Sequence, residues 1–165
     1  MEIFDEASKQ KIIPRVIEPT FGIDRTFLAL ICQAYEFDEK RQNIVLKLPA
    51  YLAPIKVAVF PIVKGEEFES ISKQIFSDLK KEFYAVYDTG GSLGRRYSRQ
   101  DEIGTVACIT IDGDSLKDKS VTVRDRDTTE QVRVKISELR NMLRKVIFDG
   151  KSILEFGKRV NTRVK

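Results

Sequence analysis

Residues 56–63 read Lys-Val-Ala-Val-Phe-Pro-Ile-Val, a continuous apolar run that predicts a β-strand covered on both faces. After a predicted turn at Lys64-Gly65, the segment Glu66–Lys81 places its apolar side chains on one stripe, which predicts an amphipathic helix. A second apolar run, Phe83–Tyr87, predicts the next strand. Strand, helix and strand in this order form a βαβ unit, so we expect two parallel strands with a right-handed crossover.

The chain beyond this unit predicts three more strands and another helix. Thr105–Ile111 is a third buried strand, followed by a loop. Ser120–Arg124 and Gln131–Ile136 alternate apolar with polar residues, which is typical of a hairpin with one face in water. Ser137 is the candidate N-cap of a last core helix that Gly150 ends. We therefore predict an α/β fold, a three-layer α/β/α domain around a mixed five-stranded sheet.

The region before this domain has a different pattern. Residues 11–23 are an extended segment interrupted by prolines, and Asp24–Tyr35 is apolar almost all round, which predicts a buried helix. Glu36–Asn43 looks like a charged break. The proline-punctuated segment 47–54 is the best candidate for a domain boundary.

Composition excludes several classes of function. The 165 residues include no histidine and two cysteines, so we expect no catalytic histidine dyad and no metal site. The net charge of +4 equals that of residues 151–165, a basic tail for which phosphate contact is the alternative to the solvated end that we expect. Within it, Ser152–Phe156 is a candidate for a short final helix. The longest wholly apolar run is too short to span a bilayer, and the start lacks a signal-peptide pattern. We expect a cytoplasmic protein without membrane contact.

The segment 88–104 holds the candidate functional residues and reads Asp-Thr-Gly-Gly-Ser-Leu-Gly-Arg-Arg-Tyr-Ser-Arg-Gln-Asp-Glu-Ile-Gly. It follows a predicted parallel strand, and ligands of such sheets bind beyond the carboxyl ends of the strands. Ser92 is a candidate helix N-cap. In the helix that follows, Leu93 and Tyr97 lie one turn apart and can both face the core. This loop and helix are the predicted binding edge.

Arginines occupy another face of the same predicted helix. Their planar forks of donors suit phosphates and base edges, and a tyrosine offers a stacking face. The alternative is a solvated, salt-bridged helix. The pairs of that alternative would be drawn from Arg95, Arg96, Arg99, Asp88, Asp101 and Glu102. A dinucleotide fingerprint and a Walker A loop are both excluded, because the glycine spacing is wrong and Gly-Arg-Arg stands where Gly-Lys-Ser/Thr is needed.

Several separated motifs together carry a family resemblance. Residues 17–25 read Ile-Glu-Pro-Thr-Phe-Gly-Ile-Asp-Arg and resemble motif 3 of class II aminoacyl-tRNA synthetases. Residues 48–63, Gly91–Tyr97, Asp101–Gly104 and Arg124–Asp127 follow in order. They resemble the carboxy-terminal part of glycyl-tRNA synthetases of the archaeal and eukaryotic type. The resemblance runs from the start of the chain to about residue 143.

The resemblance implies a division of the chain. Residues 1–48 would be a strand and helix remnant of the class II catalytic domain. Residues 49–150 would be the anticodon-binding domain, and residues 151–165 the basic tail. It implies as partners the anticodon stem-loop of tRNA(Gly) and a missing amino-terminal catalytic portion. A second copy of the chain, in a homodimer, is another partner that could cover the apolar helix.

The resemblance also implies roles for individual residues. Arg25 matches the motif 3 arginine that binds the ATP phosphates. Glu18 and Thr20 match the glutamate and the hydroxyl that hold glycine, with threonine where the family has serine. In the anticodon domain, where the family reads two cytosines, Arg95 and Arg126 match as contacts to base edges or phosphates. The alternative is that these two arginines simply pair with Asp101, Asp125 or Asp127.

Further residues fall near the implied anticodon site. They are Arg96, Arg99, Tyr97, Asp101, Glu102 and Arg124. Arg124 and Asp125 are also expected to fix the hairpin turn. The family often has an aromatic residue where this chain has Gly113, so a stacking contribution of about 1–3 kcal/mol per base is expected to be missing.

The activity that we expect follows from what precedes motif 3. No motif 1 or motif 2 stands before residue 17, so we expect a carboxy-terminal fragment that does not form glycyl-adenylate alone. ATP and Mg²⁺ would serve the whole enzyme, and no cofactor is expected for this chain. An accessory or regulatory subunit that uses the same fold for protein contacts is the alternative function.

Overall fold

The structure, a computed structural model, describes residues 2–62 and 65–160. The predicted turn residue Lys64, the predicted strand end Val63 and the last part of the basic tail lie outside the described residues. The strands are β1 (Ile3–Asp5), β2 (Gln10–Ile12), β3 (Tyr35–Asp38), β4 (Asn43–Leu46), β5 (Val57–Pro61), β6 (Ala85–Tyr87), β7 (Ala107–Ile111), β8 (Ser120–Asp125), β9 (Gln131–Lys135) and β10 (Lys158–Arg159). The helices are α1 (Ile23–Ala34), α2 (Glu66–Leu79), α3 (Leu93–Ile103), α4 (Ser115–Asp118) and α5 (Ile136–Phe148), and a 3₁₀ turn spans Ile153–Glu155.

A mixed sheet lies at the centre of the described chain, with its strands in the order β10-β9-β8-β7-β5-β6. β5 pairs in parallel with both neighbours, and Val57 is in register with Ala85 of β6 and Ala107 of β7. The pairs from β7 to β10 are antiparallel. The predicted βαβ unit and the mixed sheet are therefore confirmed, with one strand more than the five expected.

Helices cover both faces of this sheet. Along β5, Val57 and Val59 face one core, into which α2 and α5 pack. The alternate residues Ala58 and Phe60 face the other side, where Tyr97 of α3 packs on them. Since side chains of a strand point to opposite faces in turn, these two clusters lie on opposite sides of one sheet. The predicted three-layer α/β/α architecture is confirmed.

The sixth strand comes from the basic tail. Ser152 and Glu155 form a capping box that starts the 3₁₀ turn, and Ile153 is buried in the larger core. Gly157 then lets the chain pass close to β9, because a Cβ there would lie 2.5 Å from the carbonyl oxygen of Arg133. For residues 151–160, the expected solvated end is wrong, since burial of Ile153 and the pairing of β10 hold the tail on the sheet.

A hairpin of β3 and β4 replaces the predicted charged break. Tyr35 pairs with Leu46 and Asp38 with Asn43. The break prediction is wrong because Asp38 stabilises the turn locally, accepting hydrogen bonds from the backbone N–H groups of Lys40 and Arg41. The hairpin packs on α3, where the amide of Asn43 donates to the carbonyl oxygen of Ser98 at 3.1 Å.

Helix α1 differs from its prediction in burial. Of its residues only Ala34 is buried, while Phe27 and Leu28 are 64% and 62% exposed. The predicted buried helix is therefore an exposed one in this chain, because no other described element covers its apolar sides.

Of the two predicted helix caps, one is confirmed and the other is wrong. Ser92 caps α3, its hydroxyl accepting from the backbone N–H of Arg95, as expected. Ser137 does not cap α5, which begins one residue earlier at Ile136 and has no side-chain cap. Gly150 follows α5 with a φ of +67°, in the left-handed region that favours glycine.

Candidate nucleic-acid interface

The carboxyl ends of the three parallel strands meet at one edge of the sheet. β5 ends at Pro61, β6 at Tyr87 and β7 at Ile111. The helix after β5 and the helix after β6 pack on opposite faces, so the chain leaves this edge in both directions and opens a crevice there. We call this region, with residues 88–92, the start of α3 and residues 112–114, the carboxyl edge.

Two arginines of α3 tie the glycine-rich loop 88–92 to the sheet. Arg96 is 9% exposed, and its guanidinium donates to the carbonyl oxygens of Pro61 at 2.8 Å and Gly91 at 3.0 Å. Arg99 donates to the carbonyl oxygen of Gly90 at 2.7 Å and to the Asp88 carboxylate at 2.5 Å. Burial acts to raise the pKa of Asp88, but the hydrogen bond from Arg99 lowers it overall, so this carboxylate stays charged.

Arg95 directly precedes Arg96 in the sequence and is used differently. Its side chain is exposed, and it makes no hydrogen bond or ion pair with another residue that the structure describes. Its aliphatic stem lies beside Gly91, where a Cβ would come within 3.8 Å of the Arg95 Cδ atom. Of the predicted contacts on α3, Arg95 is therefore the arginine whose donors face solvent at the carboxyl edge. Glu102 is also exposed, at the far end of the helix.

Three other predicted contacts are buried together. Arg124 forms two hydrogen bonds to the Asp101 carboxylate, of 2.8 and 2.9 Å, and its guanidinium lies 4.6 Å from the centre of the Tyr97 ring. Asp101 and Arg124 are 2% and 6% exposed. Burial raises the pKa of Tyr97 to about 12. These side chains contact each other between α3 and β8, and their implied contact with tRNA stays a prediction.

Arg126 is also inside the protein. It is 4% exposed, and its guanidinium donates to the carbonyl oxygens of Gly104 at 2.9 Å and Leu48 at 2.8 Å. It also pairs with the carboxylate of Asp127. Because its donors satisfy backbone carbonyls that would otherwise be buried without partners, Arg126 braces the fold. This arrangement agrees with the alternative, in which Arg126 pairs with a neighbouring aspartate, and its implied contact with an anticodon base stays a prediction.

Arg41 completes this buried network, and sequence reasoning missed it. From the turn of the β3–β4 hairpin, it donates to the carbonyl oxygens of Arg126 and Asp127, both at 2.7 Å. It also lies 3.4 Å from the Asp101 carboxylate and 3.0 Å from Asp38. Arg41 sits in a charged turn typical of a surface, and no sequence signal connects it to residues that follow about eighty positions later.

A second polar cluster, also missed, fixes the loop after β7. Arg133 of β9 forms ion pairs with Asp112 and Asp118. The hydrogen bonds of Ser120 and then of Arg133 lower the pKa of Asp118 to about 2. On the β8–β9 hairpin, the face that we expected to be exposed to water is thus occupied by polar side chains. Gly113 in this loop is exposed, and a Cβ built on it would meet no atom within 4 Å.

The motif 3 residues do not converge on a cavity in the described chain. Glu18 and Thr20 are exposed in the segment before α1, and Arg25 is exposed on its first turn. No hydrogen bond joins these three side chains within the part that the structure describes. They do not enclose a nucleotide by themselves. Among residues 2–62 and 65–160, no three potential metal ligands from His, Cys, Asp and Glu cluster together.

No helix of the described residues has the length and apolar character that a membrane crossing requires.

A comparison with protein families matches residues 56–146 to the family described as anticodon binding domain. The chain belongs to this anticodon binding domain family. The matched span starts at β5 and includes α3 with Arg95 and the buried pair of Arg124 and Asp101.

Relatives of this anticodon binding domain protein carry the name glycine–tRNA ligase. The protein from Rhodopirellula baltica is 49% identical over 142 residues, which cover 82% of this chain and 26% of that protein. The protein from Thermococcus sibiricus is 48% identical over 148 residues, which cover 89% of this chain and 26% of that protein. The chain thus spans about a quarter of the length of these relatives. The resemblance to glycyl-tRNA synthetases is confirmed.

A solved structure supports the fold assignment of the domain. The crystal structure of prolyl-tRNA synthetase from Cryptosporidium parvum, in complex with halofuginone and AMPPNP, matches with a TM-score of 0.58 and 27% identity. The match covers 63% of this chain and 22% of that chain. The α/β fold of the anticodon binding domain is thus shared with another aminoacyl-tRNA synthetase.

Proposed function

We propose that this chain recognises the anticodon loop of tRNA(Gly) at the carboxyl edge, with Arg95 as the residue that contacts an anticodon base. The observation that carries the proposal is the position of Arg95 in a domain of the anticodon binding family. Its guanidinium is exposed beside a glycine-rich loop, while the neighbouring Arg96 and Arg99 are bonded to that loop.

The chemistry of an exposed arginine fits this role. Anticodon bases are unstacked, so proteins can reach their edges with hydrogen-bond donors. The guanidinium of Arg95 presents a planar fork of donors that suits carbonyl and ring nitrogen acceptors of a base. Gly90 and Gly91 carry no side chain, which lets a nucleotide approach the backbone closely. The ion pair of Asp88 with Arg99 keeps that carboxylate from repelling phosphates.

The test is binding of the chain to tRNA(Gly) transcripts, with the anticodon cytosines intact or replaced, at several salt concentrations. We expect a loss of about 1 kcal/mol or more when a cytosine that Arg95 contacts is replaced. Arg95→Ala should abolish that preference. Arg144→Ala is the matched control, because Arg144 is exposed and pairs with Glu82 at the opposite edge of the sheet.

Binding that is blind to the anticodon would overturn the proposal, as would a preference that Arg95→Ala leaves intact. Such binding would instead fit an accessory subunit whose partner is a protein, and tRNA species would not matter to it. If affinity depended only on salt, the binding would involve RNA phosphates without base recognition. The logarithm of the binding constant would then fall with the logarithm of the salt concentration, with a slope of about −0.7 for each single-strand phosphate contacted.

We further propose that the chain acts within a longer glycine–tRNA ligase that joins glycine to tRNA with ATP and Mg²⁺. Its identity to proteins of that name supports this proposal. Glu18 and Thr20 would contact glycine there, and Arg25 the phosphates of ATP. Because these residues are exposed without an enclosing wall, the remaining walls of such a site would come from outside the described residues.

A further inference from the structure

We propose that Arg99 and Asp88, together with Arg96, form a clamp that sets the direction of Arg95 and so its base preference. The three side chains would act as positioning residues and not as contacts to RNA. This inference rests on the proposed role of Arg95, and it assigns its neighbours a function that their residue types alone do not suggest.

The clamp joins α3 to the loop that precedes it at both of its glycines. Arg99 binds the Gly90 carbonyl and the Asp88 carboxylate, while Asp88 also accepts from the Gly90 N–H at 2.8 Å. Arg96 binds the Gly91 carbonyl through two nitrogens and reaches the end of β5 at Pro61. Rotation of α3 about its axis would break bonds on both glycines, so the helix and loop are held in one orientation.

The spacing of the arginines connects the orientation of α3 to the position of the Arg95 side chain. Residues three and four apart are neighbours on a helix surface, so Arg95 lies one turn before Arg99 on the same face. Arg99 is held against the loop by its ion pair with Asp88, while the Arg95 side chain stays exposed. If the pair were lost, Arg99 and the loop could both move, and the base edge that Arg95 meets would change.

The bonding of the clamp arginines argues against direct RNA contacts. Among the described residues, the Arg96 guanidinium donates its hydrogen bonds to backbone carbonyls, and the side chain is almost buried. The Arg99 side chain is 44% exposed, and both of its bonds use Nη2 and go to the preceding loop, at Asp88 and Gly90. Its charge is matched by Asp88 at 2.5 Å, so a phosphate would compete with a carboxylate already in place.

The backbone conformation at the two glycines of the loop is compatible with these contacts. Gly91 has a φ of +73°, in the region that side chains rarely adopt. A Cβ at Gly90 would lie 3.3 Å from the Oδ1 atom of Asp88, tighter than ordinary contact. Both glycines therefore let their carbonyls turn toward the arginines without steric conflict.

The experiment measures the cytosine preference, defined as the dissociation constant for a tRNA(Gly) transcript with a replaced anticodon cytosine divided by that for the intact transcript. We expect Asp88→Asn and Arg99→Gln each to reduce this preference by about threefold or more, from about fivefold or more in the wild type. The double variant should lose no more of the cytosine preference than either single variant, because the two residues act through one contact. The slope of affinity against salt concentration should stay the same in Arg99→Gln, since no phosphate contact is removed.

A direct role of Arg99 would give opposite results. Arg99→Gln would then lower the salt slope by about 0.7 with the cytosine preference intact, and Asp88→Asn would tighten binding to every transcript. Either outcome overturns the clamp. Arg95→Ala separates this test from that of the proposed function, because a preference that survives Arg95→Ala refutes the role of Arg95 itself. Exposed ion pairs contribute little to folding, so circular dichroism should show both variants folded.

Discussion

Arg124 and Asp101 are joined by two hydrogen bonds of 2.8 and 2.9 Å across a separation of 23 positions in the chain. Both side chains are buried, and the Tyr97 ring lies against the guanidinium. The pair fastens α3 to β8 through the interior of the protein. Removal of either partner leaves a charge without its counter-ion in a low-dielectric environment, which is costly.

The first prediction concerns this buried pair. Arg124→Leu leaves the Asp101 carboxylate buried with only the longer contact to Arg41, so we expect the free energy of unfolding to fall by about 3 kcal/mol. Urea denaturation followed by circular dichroism measures the loss. The control is Arg140→Leu, whose exposed pairs with Asp78 and Glu82 should contribute less than about 1 kcal/mol. Equal losses in the two variants would contradict the assignment.

The second prediction concerns the end of α3. Gly104 has a φ of +83°, and a Cβ there would lie 2.7 Å from the carbonyl oxygen of Leu46 in the β3–β4 hairpin. Gly104→Ala should therefore lower the free energy of unfolding by about 1–3 kcal/mol. Gly94→Ala, in the same helix with no atom within 4 Å, should raise it by about 0.5–1 kcal/mol. Changes of the same sign in the two thermal melts would refute this account.

The third prediction adds a stacking surface to the carboxyl edge. Gly113 is exposed after β7, and a Cβ there would meet no atom within 4 Å, so a side chain can be added without a clash at its base. Gly113→Tyr should tighten binding of tRNA(Gly) by about fivefold or more, because stacking of a base on an aromatic ring contributes about 1–3 kcal/mol. Gly113→Ala should change the affinity little, since it removes the glycine without supplying a ring. If the tyrosine variant binds no better, this loop does not meet a base.

The fourth prediction concerns acid stability. The hydrogen bonds of Ser120 and Arg133 lower the pKa of Asp118 from 3.8 to about 2 in the folded protein. A depressed folded pKa stabilises the protein above the unfolded value, and that contribution is lost as the pH falls from 3.8 towards 2. The difference in unfolding free energy between wild type and Asp118→Asn should therefore be constant near neutral pH and shrink below pH 3.8. In an Arg133→Gln background the pH dependence of this difference should be weaker.

The strands and the sheet layers were predictable because apolar patterns report burial directly. The run from Val57 and the stripe of α2 can be satisfied only by a buried parallel strand with a helix across it. The hairpin at Asp38 and Asn43 was missed because its polar turn has the composition of a solvated loop. β10 was missed because its two residues, Lys158 and Arg159, show no apolar pattern, although a short helix was expected just before it at Ser152–Phe156.

The candidate site was only partly predictable, because residue type does not tell which arginine is buried. Arg95 and Arg126 have the same chemistry, yet one faces solvent and the other bonds to the carbonyl oxygens of Leu48 and Gly104. Those acceptors are brought near Arg126 by the tertiary fold alone. The Ser92 cap was correct because its signal is local, lying within one turn of the helix that it starts.

The contacts of Arg41 determine where this chain can be divided. A protein begun at residue 49 would lack Arg41 and the Leu48 carbonyl, so Asp101 would lose its second partner and Arg126 an acceptor. Each donor left unpaired inside the protein costs about 1–3 kcal/mol. A protein begun at Tyr35 would keep the whole hairpin and shed the exposed apolar helix before it. The shortest soluble form for binding studies should therefore start at Tyr35.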